Sequence, residues 1–418
     1  MKIFLRTFGC RANQYDSEAL RELIHASGNE LVAAPHEADV AVFNSCAVTS
    51  DAEADLRQSV RRVARENPAV RSVVMGCAAA LDRGVIRSLR TVTHVVPGAD
   101  LSAVAAALGV HASPASTATR AQTTVRAVLR IQDGCDEHCT FCATTLARGA
   151  SRSRTTDALI SEARELAPRH PEVVLTGIHI GSWGTDRGEA LSMLVQRLID
   201  DVPDVRFRLS SLEATEVDDA LASMLRRDDR LVPYLHAPLQ SGSDRVLRRM
   251  GRHWYTAERY AASVRALVQD REVFGLGADV IAGFPGETED DHAATLALVE
   301  DLPLTYLHVF PFSSRPGTAA ARLPERVPPG VVDRRAAELR ALGARKAAAY
   351  RARRAGGAAD VVVTAGGPRP TGVTEDFLTV RVPGGIGRGS RFRAHLEADD
   401  THLTAIPEHA TSRPARYL

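Results

Sequence analysis

Lysine is almost missing from this 418-residue chain: of 52 basic residues only Lys2 and Lys346 are lysine, and arginine carries the rest. Net charge is nearly missing too, at +1 with histidine neutral, which excludes a global field that would mark a polyanion binder; any such surface must be local. Aromatic residues make up only 5% of the sequence, so stacking on bases must rest on few rings, with Trp183, Trp254 and Tyr255 the candidates. No apolar run approaches the roughly eighteen residues that span a bilayer, and the N-terminus, MKIFLRTFGC, lacks the apolar core of a secretory signal. These absences point to a reducing cytoplasm, where cysteines bind metals or react more often than they form disulfides. There are six cysteines, and their placement carries the information.

KIFLRTFG (2–9), ADVAVFNS (38–45) and RSVVMG (71–76) read as strands that end at Cys10, Cys46 and Cys77, each with a helical stretch after it, and HVVPGA (94–99) reads as a fourth strand. This rhythm predicts an open parallel sheet over residues 1–110, whose ligands gather at the carboxyl ends of the strands. The topology therefore brings three cysteines to one edge. Three unrelated buried thiols are the alternative, since free cysteine is among the most buried residue types. A polar linker, GVHASPASTATRAQ (109–122), leads to a second series over 122–322. Its strand candidates are VRAVLRIQDG, EVVLTGIHI (172–180), VRFRLSSLE (205–213), YLHAPLQSG (234–242), GLGADVIAGFPG (275–286) and LTYLHVFPFS (304–313). Six strand–helix units fit a closed or partial α/β barrel with its site at the strand C-termini. Residues 323–356 turn helical and basic, and 357–418 alternate apolar and polar residues between Gly and Pro turns, as in a small β barrel. The fold class expected is α/β: an open parallel-sheet domain, a partial (β/α)6 barrel and a C-terminal β barrel.

Residues 133–144, DGCDEHCTFCAT, hold Cys135, Cys139 and Cys142. A structural zinc site wants a fourth ligand, and His138, adjacent to Cys139, is poorly placed to share its metal. A ferredoxin run would show a fourth cysteine followed by proline. Three thiolates on a cubane of four irons leave one iron open, and an open iron is a catalytic position. A structural metal site or a simple electron carrier is the bland alternative.

The loop resembles the signature of the radical S-adenosylmethionine (SAM) superfamily. Together with FGCRANQYDSE, NSCAVT, MGCAAA, LTGIHIGSWG, LSSLEATEV, HAPLQSGSDRVLRRMGR, DVIAGFPGETEDD and HVFPFSSRPGTAAA, it resembles the tRNA methylthiotransferases, most of all the branch acting on threonylcarbamoyladenosine beside the anticodon. The stretch from Gly177 to Ile180 differs from the Gln-Asn-Val-Asn of the isopentenyladenosine branch, and ATTL at 143–146 replaces the usual Ile-Ile-Pro-Trp. The resemblance implies a 4Fe–4S cluster on Cys135, Cys139 and Cys142 whose open iron takes SAM and whose electron cleaves it to a 5′-deoxyadenosyl radical. It implies a second 4Fe–4S cluster on Cys10, Cys46 and Cys77 that presents sulfur, a soft ligand matched to a thiophilic metal. The motif from Asp279 through Gly283, with Phe284, Pro285, Gly286 and Glu287 after it, would lie on the adenine side of SAM; Phe141 inside the cysteine loop packs against the adenine or serves the core. Thr176, Gly177, Ser210, Ser211, Glu213 and Gln240 sit at strand ends, where a barrel collects polar contacts or where water satisfies loop groups. His179, His236 and His308, on apolar strands, are ligand contacts or core histidines. Arg148, Arg152, Arg154 and the arginines of 322–354 are either phosphate contacts or a solvated face.

The expected partners are the anticodon stem-loop of tRNA and an electron donor such as flavodoxin or ferredoxin. The sulfur source stays unnamed, and no membrane is involved. The C-terminal barrel would grip RNA in the manner of a TRAM module. Rival readings keep the chemistry and change the target to isopentenyladenosine tRNA or a ribosomal protein, or reduce the chain to an electron carrier or an RNA-binding module.

Overall fold

The computed structural model describes residues 1–110, 122–399 and 401–408. The first sheet is built from β1 (Lys2–Thr7), β2 (Glu30–Val32), β3 (Val40–Ser45), β4 (Arg71–Gly76) and β5 (Val92–Pro97) in the order β2-β1-β3-β4-β5, with every pair parallel. Both faces are covered, which is why β3 and β4 read as unbroken apolar runs. Val40 and Val42 face α1 (Arg11–Ala26) and α4 (Leu101–Leu108), while Ala41 and Phe43 face α2 (Ser50–Glu66) and the short α3 (Cys77–Ala80). Two details differ from the sequence reading. The first strand stops at Thr7, so Cys10 caps α1 instead of ending a strand, and the three-residue β2 is too short to leave a pattern.

Six parallel strands follow in chain order: β6 (Arg126–Arg130), β9 (Glu172–Thr176), β10 (Arg206–Leu209), β11 (Tyr234–His236), β12 (Gly275–Ala282) and β13 (Tyr306–Pro311). Single parallel bridges, Phe207 to Leu231 and Ser211 to His236, join the two three-stranded halves into one open, partial barrel. The helices between them are α6 (Thr156–Leu166), α7 (Leu191–Asp201), α8 (Asp219–Arg227), α9 (Asp244–Arg249), α10 (Ala257–Val268) and α11 (Glu289–Asp301). The strands are shorter than the apolar runs suggested; the run at 172–180, for instance, ends as a strand at Thr176 and turns at Ile180. A two-residue hairpin of β7 (Gln132–Asp133) and β8 (Arg152–Ser153), with α5 (Thr144–Arg148) between, encloses the cysteine loop.

The helix α12 (Pro329–Arg354) leads to a closed barrel, β14 (Ala358–Ala365), β15 (Thr371–Thr374), β16 (Thr379–Arg381), β17 (Arg391–Ala398) and β18 (Leu403–Pro407). The linker expected at 109–122 lies outside the described residues except for Gly109, Val110 and Gln122, and so does the tail beyond Glu408. Among the described residues no helix is long and apolar enough to cross a membrane.

The polar stretch NQYDSE on α1 is buried, and the reason is the half-barrel beside it. The Tyr15 hydroxyl lies 3.2 Å from Glu162, Glu18 accepts from Thr123 Oγ1 at 2.6 Å, and Asp16 pairs with Arg130 and Arg148. This polar seam holds the first sheet against the half-barrel.

Candidate active site

Gly134 opens the cysteine loop with a positive φ of 76°, and a Cβ there would sit 1.9 Å from the Ala150 carbonyl oxygen. Only glycine lets the two hairpin arms close this tightly. The loop is then pinned: Cys135 N–H donates to the Gly149 carbonyl, Thr140 N–H to Met250 and Cys142 N–H to Cys139. Gly134→Ala should therefore destabilise the chain by about 2 kcal/mol or more. Thermal melting together with 5′-deoxyadenosine release checks this, and wild-type values for both would show the turn to be dispensable.

Each sulfur of this trio meets a nitrogen. Arg252 Nη1 lies 3.5 Å from Cys139 Sγ, Thr144 N–H 3.4 Å from Cys142 Sγ and His179 Nδ1 3.8 Å from Cys135 Sγ. Such donors suit thiolates that carry metal, and they tune a cluster's potential. All six cysteines are free of disulfides. Burial pushes the Cys139 thiol up to about 12, against the pull of Arg252. One zinc ion with four sulfurs at ~2.3 Å would hold them about 4 Å apart. The only group of three His, Cys or carboxylate ligand atoms that lie within 4.8 Å of one another among the described residues is His236, Asp279 and His308. No three cysteine sulfurs among the described residues lie that close together.

The second trio stands at the carboxyl edge of adjacent strands β1, β3 and β4. Cys46 and Cys77 are buried and Cys10 is exposed. Gly9, at φ 90°, makes room for Cys46: a Cβ would lie 2.7 Å from its Sγ. The Cys46 sulfur accepts from Val48 N–H at 3.5 Å. Burial pushes the Cys77 thiol up to about 11 although Arg148 opposes it, the Arg148 Nε lying 3.4 Å from the sulfur. Arg148 is the physical link between the trios. It ends α5, six residues after Cys142, and its buried guanidinium also donates to Asn13 Oδ1 at 2.7 Å and Asp16 Oδ2 at 2.8 Å.

Several expectations change here. Arg148 is 5% exposed and spent on Cys77, Asn13 and Asp16, so it is no phosphate contact. Arg154 is held by the Tyr15 hydroxyl, the Arg130 carbonyl and Glu162, while Arg152 remains exposed. Arg335 and Arg354 of α12 are buried in pairs with Glu287 and Asp376. Trp183 is 1% exposed with its indole N–H on the Arg154 carbonyl, Tyr255 is buried with its hydroxyl on the Leu239 carbonyl, and Arg252 lies over the Trp254 ring. Trp183 and Tyr255 therefore offer no free face to a base, whereas Trp254 is half-buried with Arg252 over one face.

Around the mouth, Phe141 packs edge-on against Phe284, ring centroids 6.4 Å apart. Gly283, with φ 76°, precedes that ring, and its N–H donates to Glu287 Oε2 at 2.8 Å. Thr176 ends β9, and a Cβ on Gly177 would sit 2.8 Å from the Gln132 carbonyl oxygen. Ser210 follows β10, Ser211 bridges to His236, and Gln240 holds a positive φ of 65°. Glu213 is engaged by Arg252, and burial nevertheless raises its pKa. His179 bonds Glu216 at 2.7 Å; burial disfavours its charged form, yet the Cys135 and Glu216 contacts lift it to about 10. One oxygen of the Asp279 carboxylate, which the sequence places among the cofactor contacts, lies 2.9 Å from His236 Nε2 and 3.2 Å from His308 Nδ1, and the other oxygen has no partner among the described residues. Sequence reasoning missed Asn13, Asp16, Glu216 and Arg252, whose partners lie far away along the chain.

An open parallel half-barrel with a three-cysteine loop at its mouth defines a radical SAM enzyme, and residues 129–299 match the family model described as the Radical SAM superfamily. Residues 2–98 match a second model, described as uncharacterized protein family UPF0004. The fold is shared with the solved radical SAM methyltransferase TsrM from Kitasatospora setae, with a TM-score of 0.58 over 76% of each chain at 14% identity. The threonylcarbamoyladenosine tRNA methylthiotransferase MtaB of Rickettsia prowazekii is 32% identical over 93% of this chain and 93% of its own. The tRNA-2-methylthio-N(6)-dimethylallyladenosine synthase of Erythrobacter litoralis is 33% identical over 88% of this chain and 87% of its own. The chain belongs to the radical SAM tRNA methylthiotransferase family, and is a tRNA-modifying enzyme that uses SAM and an iron–sulfur cluster.

Proposed function

We propose that this enzyme places a methylthio group on C2 of N6-threonylcarbamoyladenosine next to the anticodon of tRNA, in the cytoplasm, with SAM and two 4Fe–4S clusters. The observation that carries the reading is the pair of cysteine trios, each one thiol short of a complete cluster, with the buried Arg148, six residues after Cys142, reaching Cys77 of the second. When bound, the first cluster supplies an open iron for SAM and the electron for its cleavage, and the second supplies thiophilic iron for sulfur.

The chain's own residues divide the work. Cys135, Cys139 and Cys142 hold the first cluster, and Cys10, Cys46 and Cys77 hold the second. Phe141, Thr176, Gly177, Ser211, Glu213, Gln240 and Gly283 line the place for SAM at the strand ends. Arg252 ties that lining to the cluster, since it bonds both Cys139 and Glu213. Residues 1–110 form the unit for the second cluster and 122–322 the unit for radical chemistry. Residues 323–356 connect them to a 357–418 barrel that grips the RNA backbone, with the exposed Arg152 available to phosphate. Electrons come from a carrier such as flavodoxin or ferredoxin.

Mass spectrometry of tRNA nucleosides from a deletion strain tests the substrate. Loss of the 2-methylthio form of threonylcarbamoyladenosine supports the reading, and an unchanged profile rejects it. Relatives named for dimethylallyladenosine, at similar identity, favour a second reading; loss of the methylthio isopentenyl nucleoside would establish it.

A further inference from the structure

Strand β13 has an unusual inner face. Leu307 and Val309 pack into the core, where a Cβ on Gly343 of α12 would come 2.9 Å from Leu307. The alternate residues Tyr306, His308 and Phe310 turn into the open half-barrel, the His308 side chain 55% exposed and Phe310 36% exposed. Edge strands and barrel interiors are ordinarily filled or covered, so an aromatic, polar face left open inside the cleft is a place for a ligand.

Behind that face a hydrogen-bonded row is already built. In the strand register Gly277 lies beside both His236 and Tyr306. A Cβ on Gly277 would sit 1.9 Å from the Tyr306 ring, so glycine is what lets that ring cross β12. The Tyr306 hydroxyl then lies 2.8 Å from His236 Nδ1. His236 Nε2 is 2.9 Å from Asp279 Oδ1, and the same oxygen is 3.2 Å from His308 Nδ1. His236 is thereby spent at both nitrogens. His308 Nε2 and the second Asp279 oxygen have no hydrogen-bond partner among the described residues, and both side chains reach solvent, that of Asp279 at 24% exposure.

The row also sits at the right place. Phe310 is level with Ile281, two residues before Gly283, and the turn there carries Phe284 against Phe141 of the cysteine loop. The His308 and Phe310 rings are 6.4 Å apart. The triad thus lies in the same cleft as the candidate SAM residues and deeper along β12 and β13.

We propose that His308 and Asp279, held by His236 and Tyr306, form the subsite for the N6 side chain of the target nucleoside, and that this subsite selects a threonylcarbamoyl group over an isopentenyl group. The inference rests on the methylthiotransferase reading above. A threonylcarbamoyl group carries a carboxylate, a hydroxyl and N–H groups. Its carboxylate accepts from Nε2–H of a His308 imidazolium whose Nδ1–H donates to Asp279, and its hydroxyl donates to the second Asp279 oxygen; that imidazolium, together with the His236 N–H on Asp279, offsets the Asp279 charge that would otherwise repel it. An isopentenyl group offers no polar atom, so it would cover His308 and Asp279 and leave both unpaired. Rejection of a ligand lacking the expected polar atoms is the strong form of discrimination.

The test uses the reconstituted full chain with two stem-loop substrates, one bearing threonylcarbamoyladenosine and one isopentenyladenosine. His308→Ala should lower kcat/KM on the first by roughly ten- to a hundred-fold, mostly through KM. SAM cleavage without RNA should stay unchanged, and His308→Gln, which keeps an N–H donor, should recover much of the loss. An unchanged KM for His308→Ala overturns the inference and leaves the wider reading intact. A wild-type enzyme that ignores threonylcarbamoyladenosine and modifies isopentenyladenosine overturns both. Stoichiometric uptake of Mn2+ by the wild-type enzyme, lost in His308→Ala, would make the triad a metal centre and also overturn the inference.

Discussion

Alanine at Cys10, Cys46 or Cys77 leaves SAM cleavage intact and stops methylthio transfer, whereas alanine at Cys135, Cys139 or Cys142 stops both. This is the expected result if the trios hold separate clusters, and it follows from where they sit. The first trio lies on a loop closed by the β7–β8 hairpin, and its anchors are residues of the half-barrel such as Met250 and Gly149. The second lies at the edge of another sheet, and its supports are Gly9, Val48 and Arg148. Loss of a direct thiolate ligand should exceed the roughly 10- to 100-fold that removal of an outer-shell partner costs. Cys10 gives the cleanest variant, because it is exposed and its sulfur makes no capping bond to the α1 backbone, only a long 3.9 Å contact to Asn13 Oδ1. Iron and sulfide analysis should show one cluster's worth lost in each single variant. The paired readouts are 5′-deoxyadenosine and the methylthio nucleoside. Product formation by Cys10→Ala and Cys77→Ala would sink the second cluster.

Arrangements that depend on local pattern were legible in the sequence. The strand-end cysteines could be placed because successive parallel strands put their carboxyl ends on one edge, and the three-cysteine loop could be read from spacing alone. What escaped was pairing over long separations. Asp16 on α1 belongs to Arg148 and Arg130, more than a hundred residues on, and no periodicity announces such a partner. A polar helix stretch such as NQYDSE looks like a solvated face until a second unit packs on it. For the same reason the arginines at 148, 335 and 354 suggested a phosphate surface and turned out to be buried counter-ions. The open row on β12 and β13 was visible only as isolated histidines, because its geometry depends on the register of three strands and on a glycine that makes room for Tyr306.

The largest stability effect is expected at Glu172, at the opposite end of the half-barrel from the cysteines. Glu172, Arg126 and Arg206 stand level in the register of β6, β9 and β10. The fully buried Glu172 accepts from Arg206 Nε at 2.8 Å and from Arg208 Nε at 2.8 Å. Those two guanidinium groups, also fully buried, reach on to the C-terminal barrel: Arg206 donates to the Asp360 carbonyl at 2.6 Å and Arg208 to the Glu375 carbonyl at 2.9 Å. One carboxylate thus clamps the half-barrel to the β14–β18 barrel. Glu172→Ala would leave two buried cations short of their counter-charge and should cost about 3–5 kcal/mol. Being remote from the strand C-termini, it should leave the KM for SAM unchanged. Burial alone would raise the Glu172 pKa, but Arg208 and Arg206 outweigh it and hold the group well below its ordinary 4.5. A carboxylate depressed in the folded state contributes stability that is fully present above its unfolded pKa and is lost as pH falls below that value toward the folded one. Wild-type melting temperature should therefore hold near neutrality and drop below about pH 4.5, and Glu172→Gln should melt lower at neutral pH with a flatter acid limb. Identical acid limbs for wild type and Glu172→Gln would show that other carboxylates govern the acid response and that the clamp is a spectator.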